Sequence, residues 1–571
     1  MDNIKIVLEK IKISKYMPYL IIILFSCLIC LPLIKLPLTS LNEFSIHYNR
    51  GIAIKEVLAK GIFPPLINPR YANGFGYALN VFYGPITTYF PILFSFIVGS
   101  VSAGLKLYTL ITVILSGIFM YNFTYFITKD KKTSLIASIF YIVVPYKYLN
   151  IYSRNAVGEY TATMFLPLLF HGLYSLINYC KSGDKSINKN YYIIIAAIGL
   201  VLSHTITTIY AILFVILTIL INYKVLANKK FWLFIFIDII VILVVTSFYT
   251  VTLIEYKHTT SYTIFNKDIM KFTGNKVAGR GNSLLDWIIV NPGYEKLEYN
   301  IWLLSIPFLM TIFTRKIINE ENKKIYYTFI IFTLISLFMT TKYFPWKYTP
   351  TFLNVIQFPW RMHSFAIFFA SVIAAINLVS LFKTKNIEKN CTAALLIGIL
   401  GIILLYDHAY IPLNQNLISD KMYEEYKDKI SIFGINREYL PEKAKKNEQY
   451  IESRLENAII ITGDVKIIDE QKEGLNYKAK IENITENNLI ELPFIFYPGY
   501  DIRNNGNTID YYETDNGFIG ITAKENGEIE VKYKGTKLEH ISYVITLIGV
   551  ILLLVEIVIE KKIFNKKERS V

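Results

Sequence analysis

Charge is scarce in this sequence. Only 18% of its 571 residues are charged, against about a quarter in soluble globular chains. Cysteine is scarcer still, with four in all. Cys27 and Cys30 have CxxC spacing, but a structural zinc site takes about four ligands and no second pair exists. Neither a zinc site nor a disulfide framework is expected. Also missing are a phosphate-cradling P-loop, a Rossmann glycine motif, a zincin motif and a nucleophile elbow. Their absence disfavours ATP-driven transport and serine hydrolysis, and no bound nucleotide is expected.

What is abundant is apolar sequence. The chain is 53% hydrophobic and 15% aromatic. Its apolar residues run in blocks such as 19–34, 231–253 and 541–559, each near the ~20 residues that cross a bilayer. Further blocks lie at 107–127, 134–149, 161–179, 191–202, 206–223, 301–313, 325–339, 364–382 and 393–406. The pattern predicts an all-α polytopic membrane bundle of about twelve spans. The first block has no small-residue cleavage site after it, so it reads as a retained anchor.

The net charge of +15 follows the same pattern. Basic residues gather in the N-terminal segment (Lys5, Lys10, Lys12, Lys15) and at 129–132, 181–189, 224–230, 315–324, 383–389 and 561–569. With about twelve spans every cluster falls on one side, as the positive-inside rule requires, and both termini are expected to be cytoplasmic. Nucleic-acid binding is not expected, because no basic–aromatic motif accompanies the charge. Segment 86–98, short and containing Pro91, must then not cross fully. It is expected to be interfacial, re-entrant or the start of a helix reaching 127.

The division is therefore a membrane part, 1–409, with a long external loop at 39–84, an external domain at 410–540, and a last span with basic tail at 541–571. A second external segment is expected at 255–300. In the external domain Asn505-Gly506, Asn516-Gly517 and Asn526-Gly527 are hairpin signals between alternating segments. They predict a small β-sandwich without a nucleophile or metal motif.

The chemically suggestive residues fall on the predicted external side. Glu43, His47 and Arg50 are spaced i, i+4, i+7, so a helix would carry them on one face. A carboxylate, an imidazole and a guanidinium together bind phosphate and move protons, although a solvated amphipathic face has the same spacing. Stretch 61–85 is dense in Pro, Gly, Asn and Tyr and holds Arg70, Tyr71, Asn73 and Tyr77. Such a loop suits carbohydrate, while an interfacial aromatic belt reads the same way. Arg154 and Glu159, His204, and Gln357, Trp360 and Arg361 occupy other predicted external ends. Each alone is a snorkelling anchor. A cavity lined by Glu43, His47, Arg50, Arg154, Glu159, His204 and Arg361 would be basic overall and suited to a lipid phosphate or diphosphate.

These residues, in order, resemble the YfhO-like bacterial membrane proteins (the 6-pyruvoyl-tetrahydropterin synthase-related membrane protein group) of the GT-C glycosyltransferase superfamily. The resemblance rests on Glu43, His47 and Arg50, Phe63-Pro64, Arg70-Tyr71, Asn73-Gly74, Gly76-Tyr77 and Phe82-Tyr83. It continues in Arg154 with Gly158-Glu159, Phe165 to Leu168, Ser203-His204, Gln357 to Arg361, and Phe496 to Tyr500. It implies a bacterial cell-membrane enzyme with a polyprenyl-phosphate sugar as donor and a cell-envelope acceptor, working among membrane lipids. Glu43 and His47 would be catalytic, with Glu43 as base or as ligand of a divalent metal. Arg50, Arg70, Tyr71, Asn73, Tyr77, Arg154, Glu159, His204, Gln357, Trp360 and Arg361 would bind substrate. The family usually carries Asp at the position of Glu43. A lipid-carrier transporter or flippase, or an envelope-assembly scaffold, would use the same basic cavity.

Overall fold

The computed structural model describes residues 16–568 except 36–42, 60, 62, 65, 185–188, 267–272, 284–303, 305–307, 317, 319, 382–436, 484–487 and 524. The expected span 393–406, half of segment 255–300, the N-terminal lysines and about half of 301–313 lie outside the described residues.

Twelve helices longer than ten residues occur among the described residues. The first six are α1 (Met17–Lys35), α2 (Phe44–Ala59), α3 (Ile86–Val98), α4 (Val101–Thr128), α5 (Lys131–Val143) and α6 (Val157–Ser182). The others are α7 (Tyr191–Val201), α8 (Thr205–Ile221), α9 (Lys229–Thr259), α10 (Glu320–Met339), α11 (His363–Leu381) and α12 (Lys537–Glu568). Five stretches are long and apolar enough to cross a membrane, or six if the bent pair Lys131–Val143 and Pro145–Tyr152 is one span. The expectation of about twelve counted shorter helices: α1, α7 and α8 are apolar but brief, and α10 opens on the charged Glu320-Glu-Asn-Lys-Lys324. Segment 86–98 does not run on to 127. Gly99 at φ +91° breaks the chain, and Ser100 caps α4 by accepting from Ala103 N at 3.1 Å.

The chain divides into two compact units. The first comprises residues 1–44, 94–238 and 272–420. Its helices pack in the pairs α1–α4, α4–α5, α4–α6, α5–α11, α6–α7 and α10–α11. Small residues set the approach, as membrane bundles require. Ser138 Oγ donates to the Gly117 carbonyl at 2.7 Å, and a Cβ at Gly172 would strike the backbone of Ile193.

The second unit comprises residues 45–93, 239–271 and 421–571. Its strands are β1 (Ile459–Thr462), β2 (Val465–Glu473), β3 (Asn476–Asn483), β4 (Asn488–Ile495), β5 (Tyr500–Asn504), β6 (Asn507–Thr508), β7 (Tyr511–Glu513), β8 (Phe518–Ala523) and β9 (Gly527–Tyr533). They form antiparallel sheets ordered β1-β4-β8-β7 and β2-β3-β9-β5-β6. Asn505 and Gly506, at φ +48° and +81°, close the β5–β6 hairpin as the primed turn requires. Asn526-Gly527 does not close a hairpin. It carries the chain from one sheet to the other, and Gly527 stands where a Cβ would collide with the Asn505 amide.

Loop 61–85 is part of this unit's core. Leu66, Tyr71, Phe75 and Tyr77 are buried with Tyr477, Phe494, Tyr497 and Phe518. Ile495 N donates to the Phe75 carbonyl at 3.0 Å. Asn73 Nδ2 donates to the Ile451 and Arg454 carbonyls, both at 3.0 Å, which satisfies orphan acceptors at a helix end.

Candidate functional site

Pro145 breaks the run after α5, and a short helix leads into a π-helical turn at Leu149–Ser153. There Arg154 N donates to the Leu149 carbonyl at 2.8 Å. Such turns widen the helix and are common at functional sites. This one aims Asn150 and Arg154 at Glu159, in the first turn of α6.

Glu159, 2% exposed, is the hub. Its Oε2 lies 2.9 Å from Arg154 Nη1 and 3.7 Å from Arg361 Nε. Its Oε1 accepts from Tyr146 Oη, from Ser364 Oγ at 3.1 Å and from Asn150 Nδ2 at 3.4 Å. A carboxylate this buried stays charged only with such a set of donors.

Arg154 reaches a second carboxylate. Its Nη2 lies 3.5 Å from Glu43 Oε1, and Glu43 N donates to the Arg154 carbonyl at 3.1 Å. Trp360 supplies a face to the guanidinium, 4.3 Å from ring centroid to Cζ. Burial pushes the Arg154 pKa down, but Glu159 and Glu43 more than reverse this, so it is raised overall. Glu43 differs from Glu159 in exposure, at 30% against 2%.

Arg361 Nη1 donates to Gln357 Oε1 at 3.0 Å and to the Ile356 carbonyl at 3.1 Å. Its Nη2 has no hydrogen-bond partner among the described residues. Gln357 holds φ at +61°, a left-handed conformation that costs a non-glycine residue about 1–3 kcal/mol. The strain turns the Phe358-Pro-Trp-Arg361 segment, with Phe358 and Trp360 rings 5.3 Å apart.

His204 caps α8. Its Nδ1 accepts from Thr207 N at 3.3 Å, so the neutral ring carries its proton on Nε2. Burial, then the Arg361 charge, push its pKa down to about 4, against the opposing pull of Glu159 and Glu43.

Glu43, Arg154, Glu159, His204, Gln357, Trp360 and Arg361 thus belong to one constellation in the first unit. Its two carboxylates offset its two guanidinium groups, and His204 is neutral. The expected basic cavity is, over these residues, close to charge balance. Tyr146, Asn150 and Ser364 were absent from the sequence reading. Pro145, which ends the preceding helix, is a local sign of Tyr146 and Asn150, and nothing local marks Ser364.

The other candidates lie in the second unit. Glu43 precedes α2, while His47 and Arg50 are on it. Arg50, 1% exposed, donates from Nε to Asn80 Oδ1 at 2.7 Å and from Nη2 to the Tyr83 carbonyl at 3.3 Å. Burial pushes its pKa down to about 10. His47 Nε2 is 3.4 Å from Tyr83 Oη. These two side chains tie loop 61–85 to α2. Tyr71 and Tyr77 are core residues, Asn73 caps backbone, and Arg70 faces Glu56 at 3.4 Å near the surface. Among the described residues no three His, Cys, Asp or Glu side chains are grouped to hold a metal ion. The donors around Glu159 leave it unsuited to a resident cation.

No family model matches the chain. It is similar to an uncharacterized protein of Lactococcus lactis subsp. cremoris (strain MG1363), 30% identical over 355 residues, 60% of this chain and 56% of that protein. The chain thus spans little more than half the length of that relative. Among solved structures it is similar to the Archaeoglobus fulgidus oligosaccharyltransferase tethered to an acceptor peptide. The TM-score is 0.44 and identity 14%, over 72% of this chain and 57% of that one. A second is the archaeal oligosaccharyltransferase AglB from the same organism with an inhibitory peptide and a dolichol-phosphate, at TM-score 0.36 and 11% identity over 77% and 60%. Scores this low do not define a common fold. The class that stands on the structure is a largely helical membrane protein with a β-sandwich near its C-terminus.

Proposed function

We propose that this protein is a bacterial cell-membrane glycosyltransferase of GT-C type, which moves a sugar from a polyprenyl-phosphate donor to an envelope acceptor on the extracytoplasmic face. The observation that carries the reading is the unequal pair of carboxylates on Arg154. Glu159 is sealed among four hydrogen-bond donors and the Arg361 charge, whereas Glu43 keeps a partly exposed carboxylate on the same Arg154 guanidinium. Paired acids in unlike environments mark divided roles.

In this reading Glu43 takes the proton of an acceptor hydroxyl. The freed oxygen attacks the anomeric carbon, and the bond from that carbon to the phosphate oxygen breaks. The polyprenyl phosphate leaves with the electron pair. Arg361, with Nη2 still available, stabilises the charge that develops there. Arg154 and Glu159 hold both groups in position, and no nucleotide takes part. The resemblance to the YfhO-like group, carried by these same residues, supports the assignment.

The test is to incubate the purified protein with a polyprenyl-phosphate sugar and an envelope-lipid acceptor and follow sugar transfer. Transfer dependent on Glu43 supports the reading. Movement of intact lipid-linked sugar between leaflets without transfer would make the protein a carrier transporter.

A further inference from the structure

At the opposite end of α6 from Glu159, two ammonium groups meet on one oxygen. Lys181, in the last turn of α6, donates from Nζ to Asn222 Oδ1 at 3.0 Å. Lys324, on α10, donates from Nζ to the same atom at 2.9 Å. Like charges held within about 6 Å repel, and both cations must share one neutral acceptor. No carboxylate pairs with either among the described residues. Lys224, two residues beyond Asn222 in the 3-10 turn Tyr223–Ala227, adds a third ammonium.

The arrangement is built. Asn222 is buried, and its Nδ2 donates to the Thr218 carbonyl at 3.0 Å, which turns Oδ1 toward the lysines. Asn228 Nδ2 donates to the Cys180 carbonyl at 2.8 Å, which ties the turn to the end of α6. Tyr223 in this turn and Trp232 at the start of α9 are exposed, with Trp232 Nε1 donating to the Leu226 carbonyl at 2.8 Å. Exposed Tyr and Trp with a polar tip mark headgroup depth. On either side Ile212, Ile216 and Leu220 of α8 and Leu233 and Phe236 of α9 are exposed and apolar, as acyl-chain contacts would be.

We propose that Lys181, Lys324 and Asn222, with Lys224, form a binding cradle for the phosphodiester headgroup of an anionic phospholipid. A phosphate oxygen between the ammonium groups supplies the negative charge the protein omits. The neighbouring apolar faces receive the acyl chains, so the source is a lipid and not free phosphate.

The test uses the full chain in nanodiscs of pure phosphatidylcholine and in nanodiscs containing phosphatidylglycerol, with thermal unfolding as readout. Phosphatidylglycerol should raise the wild-type midpoint by ~2 °C or more. Lys181→Gln with Lys324→Gln should lose that rise, and Lys181→Arg with Lys324→Arg should keep it. Asn222→Asp supplies an internal counter-charge and should also lose it, which keeps the test sound if the double glutamine variant folds poorly. An equal rise in wild type and Asn222→Asp overturns the proposal. An equal rise from soluble glycerol phosphate in phosphatidylcholine discs overturns the lipid as source.

Discussion

Arg154 and Glu159 form a buried ion pair, Nη1 to Oε2 at 2.9 Å, with side chains 11% and 2% exposed. The pair joins the end of the π-turn to the first turn of α6, and it fixes the arginine that Glu43 also uses. Its integrity decides whether the rest of the constellation exists.

Glu159→Gln should therefore destabilise the protein. The amide keeps the shape but leaves Arg361 without its carboxylate partner and Arg154 with only the partly exposed Glu43. Breaking a buried pair by removing one partner costs about 3–5 kcal/mol. Unfolding monitored in detergent should show a large drop in midpoint. A variant as stable as wild type would mean that water already compensates the two arginines.

Glu43→Gln should leave stability almost unchanged, because Glu43 is partly exposed and the substitution is nearly isosteric. A positioned general base contributes ~10²–10⁴-fold, so transfer should fall by that order with donor binding intact. Glu43→Asp should retain activity, since the shorter acid keeps the charge and the proton-accepting oxygen. Normal turnover by Glu43→Gln would remove Glu43 from the mechanism.

Arg361→Ala should act on affinity. Loss of a charged hydrogen bond to phosphate weakens donor binding by roughly 1.5–3 kcal/mol, about 10- to 150-fold in Kd. Titrating the donor separates this from a rate effect. A fall in kcat with unchanged donor affinity would place Arg361 in transition-state stabilisation alone.

His204 predicts a pH dependence. Its pKa is held down at about 4 in the folded protein, against about 6.5 unfolded. The unfolded chain thus binds the proton first, and stability falls as pH drops from about 6.5 toward 4, by up to ~1.4 kcal/mol per pH unit. The loss is complete below the folded value. His204→Gln should flatten this part of the curve. Parallel melting curves for the two proteins from pH 7 to pH 4 would show that His204 titrates normally.

Topology is testable at two exposed positions. In a background lacking the four cysteines, Asn507→Cys in the β-sandwich should react with an impermeant maleimide in intact cells. Lys131→Cys, at the start of α5, should react only after permeabilisation. The reverse pattern would invert the orientation.

Arg154, Glu159 and Arg361 were legible in the sequence because ionisable groups at the ends of apolar runs cost free energy and are kept for a reason. Tyr146, Asn150 and Ser364 were not, since neutral polar residues inside apolar runs carry no such mark and a π-turn has no sequence period. Tyr71, Asn73 and Tyr77 show the converse. A loop dense in Tyr, Asn and Gly reads alike whether it packs on sugar or, as here, on Phe518 and Tyr439. Asn505-Gly506 was legible because both residues need positive φ. Asn526-Gly527 misled because the same dipeptide also serves a crossing between sheets.

The threading of loop 61–85 into the β-sandwich has a consequence for biosynthesis. Asn73 and Gly74 find their partners Ile451, Arg454 and Lys472 378 to 398 residues later in the chain. At ribosomal speeds of about 5–20 residues per second, the loop waits roughly 20–80 s for the strands that complete it. Through that interval Tyr71, Phe75 and Tyr77 have no core to enter. A chaperone that shields aromatic segments outside the membrane would have its binding window in that delay, and a stop codon anywhere before β4 would leave the loop permanently without its core.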